Sequence, residues 1–182
     1  MDNLTETKLT SEKIYSGCIL DFYRDTVRLP NGGTAPRELS RHVGAVCIVP
    51  LLDDGRVIVE RQFRYPVNEV ITEIPAGKRD SRDEAPEAAA RRELREETGL
   101  RLTAITHVLP PAACTVGIGD ERTVCLFGIA EGTFRPSTDP MEEIESAWYT
   151  RAQVRALHET DLFGSWALAY SWMFANGCLP EV

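Results

Sequence analysis

Two apolar runs, GAVCIVPLL at 44–52 and RVIVERQFRY at 56–65, stand on either side of Asp53-Asp54-Gly55. Acidic residues followed by glycine suit a tight hairpin, and apolar residues in continuous rather than alternating runs belong to strands covered on both faces. A chain that carries them needs a central sheet with a further layer on each side.

The covering layers are also legible. Between Pro86 and Thr98 the chain is built from Ala, Glu, Arg and Leu, with Pro86 suited to the first turn and Gly99 to the stop, so a helix is predicted there. Further strands are expected near 103–109, 122–131 and 144–149. The segment 150–177 is expected to hold one short helix and one longer helix, the latter apolar along Leu168, Trp172 and Ala175. Core packing is expected for Trp166, Tyr170, Trp172 and Phe174. At the other end, Ile14–Leu29 is rich in strand formers and runs into Pro30-Asn31-Gly32-Gly33, which predicts an antiparallel pair preceded by about a dozen frayed residues. The expected organisation is a β extension at 1–42 and a main domain at 43–182. The fold class is α/β (α+β), a mixed sheet between helices.

A length of 182 residues with 43% hydrophobic content accommodates one such domain and its extension. The net charge of −8 argues against nucleic acid and anionic membrane as partners, because both require a dense basic face. A small anionic substrate remains compatible if a metal or local arginines meet it. The five cysteines are scattered without a CxxC pair and suit buried apolar positions, and His42, His107 and His158 have no nucleophile pattern around them. The polar N-terminus lacks a signal-peptide core and no run approaches a membrane span, so a cytoplasmic location is expected.

Glu93, Glu96 and Glu97 share one face of the predicted helix at about 100° per residue. Like charges at this spacing repel. Either the face is simply solvated, with Arg91, Arg92 and Arg95 as partners, or the carboxylates hold a hard divalent cation, which takes oxygen ligands and phosphate oxygens together. Such a cation would polarise a phosphoryl group and orient a water nucleophile.

From Glu84 through Arg92-Glu93-Leu94-Arg95-Glu96-Glu97-Thr98-Gly99-Leu100 the chain resembles the signature of the Nudix hydrolases, at eight defined positions without a gap. One departure stands out: six residues rather than five separate Gly77 from Glu84, an insertion that an exposed turn tolerates. Ala85 also occupies the position where a capping side chain would be expected, leaving Glu84 or Asp83 as alternatives. The resemblance implies Glu93, Glu96, Glu97 and the Ala76 carbonyl as ligands of Mg²⁺, with Mn²⁺ as a substitute, and implies that Arg92 orients the helix through Glu84.

The resemblance extends over most of residues 13–175 and is greatest to the ADP-ribose and nucleoside-diphosphate-sugar pyrophosphatases. It implies Arg64, with Arg61, for the substrate phosphates, where a planar guanidinium can donate two hydrogen bonds. Phe22 or Tyr23 would stack on the base, and Glu142, beside Glu143 and Glu145, would help activate the attacking water, with Glu97 and Arg92 completing the catalytic residues. The extension would form a homodimer. Val116 stands where this group commonly has proline, and Gly119 where it has serine, which weakens the case for ADP-ribose and brings GDP-mannose or a UDP-sugar into contention. The expected function is Mg²⁺-dependent cleavage of a nucleoside diphosphate sugar to a nucleoside monophosphate and a sugar phosphate. A Nudix module that binds such a nucleotide without cleaving it is the competing class.

Overall fold

The computed structural model describes residues 4–18, 20–52 and 54–179. Two compact units emerge, one from the described residues up to Gly44 together with Ala112–Thr123, the other from Ala45–Pro111 and the described residues from Val124 onward. The boundary expected after residue 42 falls at Gly44, and the first unit also takes in a later segment.

In the first unit, β1 (Thr7–Ser16), β2 (Asp21–Arg28) and β3 (Thr34–Arg41) form an antiparallel sheet in that order. The predicted turn is present: Leu29 N–H donates to the Gly33 carbonyl at 2.8 Å. The expected fraying is overturned from Thr7 onward, because β1 pairs along its length with β2. Cross-strand hydrogen bonding there compensates for the polar sequence. The later segment joins through a bridge between Ser40 and Gly119 and through Asp120, which accepts the His42 N–H at 2.7 Å.

The second unit contains β4 (Ala45–Leu51), β5 (Val57–Arg64), β6 (Glu69–Glu73), β7 (Ala76–Lys78), α1 (Pro86–Thr98) and β8 (Arg101–Val108). After the short β9 (Ala112–Ala113) of the first unit, β10 (Arg122–Glu131) runs from the first unit into the second, where β11 (Ile144–Tyr149), α2 (Arg151–Thr160) and α3 (Ser165–Ala175) complete the fold. The sheet order is β11-β5-β4-β10-β8. Side chains alternate across it, as a strand's period of two requires. Val46, Ile48, Ile58 and Leu126 pack with Ala90 and Leu94 of α1, whereas Cys47, Val49, Val57 and Val59 pack with Val154 of α2 and Phe174 of α3. Among the described residues no helix is long and apolar enough to cross a membrane.

Asp53 of the expected central hairpin lies outside the described residues, but the turn closes through Gly55 N–H to the Leu52 carbonyl at 2.9 Å. β4 and β5 pair directly at Leu51 and Val57, beside that turn. Farther along, β7 pairs with Ala45–Cys47 of β4 and β6 pairs with Glu60–Arg64 of β5, so the two strands splay and the β6–β7 segment enters the gap.

The last two helices differ from expectation. They have 10 and 11 residues, and α3 buries Ala167, Tyr170, Ser171, Phe174 and Ala175, so that of the expected apolar face Ala175 is buried while Leu168 and Trp172 are exposed. α3 is apolar on most sides, so its sequence does not define an inward face, and tertiary packing chooses Tyr170, whose ring meets Phe127 edge-on at 5.5 Å. Trp172 therefore leaves the expected aromatic core group. Phe174→Ala is expected to cost about 3–5 kcal/mol and Trp172→Ser less than about 0.5 kcal/mol, measured by urea unfolding; equal losses would contradict this face assignment.

Candidate active site

Helix α1 begins without a side-chain cap at Ala85. Glu84, one of the alternative caps, instead accepts the Asp80 N–H at 2.7 Å and binds Arg92 through both carboxylate oxygens at 3.2 Å. The longer turn is therefore closed on itself and tied to the middle of the helix. At the other end Gly99, with φ 77°, donates its N–H to the Arg95 carbonyl, a left-handed stop that glycine adopts without a Cβ clash.

Arg92 is the hub of the helix's charged face. Besides Glu84 it donates to Glu93 at 2.8 Å, to Glu96 at 3.0 Å and to the Lys78 carbonyl at 3.1 Å. Its guanidinium pKa is pushed up, first by the hydrogen bonds it donates to Glu84, then by Glu93 and Glu96. The same pairing holds the Glu84 carboxyl below its ordinary range.

Glu97 lies one turn beyond Glu93 and is buried, with 7% exposure. Its Oε2 accepts the Ala76 N–H at 3.2 Å, which brings the carboxylate to the splayed segment of the sheet. Beside it, Gly77 passes under Glu93 so closely that a Cβ there would overlap the Glu93 carboxylate. The Gly77 position is thus a close-approach requirement of the acid cluster.

Glu60 was not anticipated as a site residue. On β5 it follows Ile58 by two, so it faces α1, and it is 3% exposed with Ser146 Oγ donating to it at 3.0 Å. Burial first, then the negative charges of Glu73 and Glu142, push its pKa up to about 8, against the hydrogen bond from Ser146. Burial also raises Glu97 well above the usual carboxylate range, assisted by Glu60, Glu93 and Glu142, and raises Glu93 despite the opposing effect of Arg92. The signal in the sequence was a carboxylate ending Val57-Ile58-Val59-Glu60, on the side that the alternation assigns to the acidic helix.

The other expected residues are distributed as follows. Glu142 sits in the loop before β11, where its charge acts on Glu60, Glu93 and Glu97, and it helps line a cleft of about 530 Å³ with Arg61, Phe63, Glu143 and Glu145. Arg64 Nε donates to Glu73 Oε2 at 2.6 Å. Arg61 alternates to the other face of β5 and lies 3.7 Å from Asp161 beyond α2, so the two arginines do not form a pair. Phe22 and Tyr23 belong to the first unit, where the Tyr23 ring is engaged by two cations: the Arg41 guanidinium is 4.4 Å and the Lys13 ammonium 5.4 Å from its centroid.

Among the described residues no three His, Cys, Asp or Glu side chains stand in a ready-made coordinating group. The donor chemistry nevertheless fits: Glu97 and Glu60 are buried and their hydrogen bonds come from neutral donors, while the half-buried Glu93 is held by Arg92. A hard dication matches such an excess of carboxylate oxygens, and Glu93 and Glu96 would reach it by exchanging Arg92 for the metal.

The fold and this helix define a Nudix protein. Residues 41–167 match the NUDIX domain, and the chain belongs to that family. It is 43% identical over 108 residues to the ADP-ribose pyrophosphatase of Bacillus subtilis, a match covering 59% of this chain and 58% of that protein, less than two thirds of its length. It is 34% identical over 165 residues to the ADP-ribose pyrophosphatase of Mycobacterium tuberculosis, covering 88% of this chain and 79% of that protein. A solved ADP compounds hydrolase structure superposes with a TM-score of 0.78 at 20% identity, over 98% of this chain and 100% of that one, and shares the fold.

Glu60 binds its proton more tightly folded than unfolded. In the absence of divalent cation this contributes stability below its ordinary pKa of 4.5 that is lost as pH rises toward 8. Thermal melts in chelator should show Tm falling between about pH 5 and about pH 8, with Glu60→Gln flattening the fall. A Tm profile identical in both proteins would remove Glu60 from this account.

Proposed function

We propose that this protein is a divalent-metal-dependent pyrophosphatase that splits ADP-ribose, or a closely related nucleoside diphosphate sugar, into a nucleoside monophosphate and a sugar phosphate. The observation that carries the reading is the gathering of Glu60, Glu93, Glu97 and Glu142 close enough for their charges to act on one another, with Glu97 and Glu93 seated on the strand segment at Ala76 and Gly77. The two ADP-ribose pyrophosphatase relatives supply the substrate class.

Glu93, Glu96, Glu97 and the Ala76 carbonyl would hold the cation, Mg²⁺ or Mn²⁺. When bound, it supplies Lewis-acid stabilisation of the charge that develops on the phosphoryl oxygens. Glu142 takes a proton from the attacking water. The oxygen of that water becomes a phosphate oxygen on one product, and the bridging oxygen of the anhydride leaves with the other. Arg64 donates to the substrate phosphates, for which it must turn from Glu73. Arg92 holds the helix face in register through Glu84 and Lys78, and releases Glu93 and Glu96 to the cation. Because Val116 replaces the proline common among ADP-ribose enzymes, a nucleoside diphosphate sugar with another base, such as GDP-mannose or a UDP-sugar, is the second reading.

The three-stranded sheet of the first unit serves as the dimerisation element in this reading. All ten residues of β1 are exposed, including Leu9, Ile14 and Tyr15, and β1 is an edge strand. Sedimentation equilibrium returning a single-chain mass would refute it.

Phosphorus NMR with Mg²⁺ and either ADP-ribose or GDP-mannose should show anhydride resonances giving way to two monoesters. Chelator should abolish this, and Glu97→Gln should slow it by about 100-fold or more. Binding of either nucleotide without cleavage would favour a non-hydrolytic module, and full turnover in Glu97→Gln would overturn the metal assignment.

A further inference from the structure

The end of α1 borders a second cleft, of about 730 Å³, lined by Arg92, Arg95, Arg101 and Arg135 together with Glu96 and Glu131. Glu60, Glu93, Glu97 and Glu142 do not line it. Three different elements deliver the arginines. Arg95 comes from the last turn of α1 and Arg101 opens β8, while Arg135 belongs to the loop after β10. That loop is fastened to the helix by main-chain bonds, Arg135 N–H to the Thr98 carbonyl and Thr138 N–H to the Glu96 carbonyl, both at 2.9 Å.

The negative end of the helix accounts for a cation at Arg95, since a basic residue in the last turn is favoured there. It does not account for Arg101 and Arg135 converging from outside the helix. All three side chains are exposed, and among the described residues none has an acidic partner. Of the two carboxylates at the rim, Glu96 is already held by Arg92. In a chain of net charge −8, a cleft with twice as many guanidinium as carboxylate groups is a local reversal of sign.

We propose that this cleft binds a phosphomonoester dianion. Guanidinium forks match phosphate oxygens in pairs, and the volume is within the range of small-ligand sites, about 300–1,000 Å³, which admits a sugar or nucleoside carrying the phosphate. Arg92 gives the site a link to the acid cluster, because an anion in the cleft competes with Glu93 and Glu96 for its guanidinium. The binding does not depend on the catalytic reading and is measurable without turnover.

The test uses the full chain in chelator, labelled for NMR of its arginine side-chain N–H groups. Orthophosphate, ribose 5-phosphate and AMP are titrated separately. Saturable shifts at Arg95, Arg101 and Arg135 are expected with at least one of them, and the tightest of the three distinguishes free phosphate, sugar phosphate and nucleotide as the source. The double substitution Arg101→Ala with Arg135→Ala should weaken that binding by at least about tenfold, with an unchanged melting temperature confirming the fold. Arg101→Lys, which keeps the charge without the fork, should fall between wild type and Arg101→Ala. No saturable shift with any probe at about millimolar concentration, or an unchanged Kd in the double variant, would overturn the site.

Discussion

The seating of helix α1 on the splayed segment at Ala76–Lys78 is the contact on which the candidate active site depends. Glu97 accepts the Ala76 N–H from a buried position, Glu93 lies over Gly77 with no room for a Cβ between them, and Arg92 reaches the Lys78 carbonyl. Three successive residues of one short strand therefore fix the acidic face along a turn of helix. Beneath them Ala89, Ala90 and Leu94 are fully buried, so the apolar side of the helix anchors the orientation of its charged side. Burying carboxylates is costly when their charge is not met. Leu94 and its neighbours offset that cost in the resting chain, while raised proton affinity at Glu60, Glu93 and Glu97 moderates it.

The same arrangement explains why Arg92 occupies so central a position. A guanidinium with five donors can hold Glu84, Glu93 and Glu96 at once and still bind a main-chain carbonyl. This keeps the longer turn before the helix closed even though Ala85 contributes no cap. It also makes the resting charge distribution exchangeable, since the carboxylates that Arg92 holds are those a dication would take.

Much of this was legible in the linear chain because it rests on local periodicity. The helix at Pro86–Thr98, its glycine stop and the common face of Glu93, Glu96 and Glu97 follow from 3.6 residues per turn, and the strands at 122–131 and 144–149 from apolar runs between turns. Glu60 was less accessible. A single carboxylate after three β-branched residues identifies a strand face, but its meeting with Glu97 depends on how β5 is placed under α1. The inward face of α3 was likewise outside the reach of periodicity, because nearly every position of SWALAYSWMFA could be buried. Packing against Phe127 and Val154 made the choice.

By itself the sequence determined which residue types could serve a phosphoryl-directed metal site and which segments would be helix or strand. Those properties depend on neighbours three or four positions apart. Tertiary structure alone decided that the Ala76 N–H would meet the Glu97 carboxylate, that Glu60 would join the acids, and that Arg95, Arg101 and Arg135 would line one cleft. Each of these depends on the splay of β4 from β5, the pleat of β5 or the fastening of a loop to a helix end. Such relations arise from contacts between residues far apart in the chain, where desolvation and packing rather than local propensity determine the outcome.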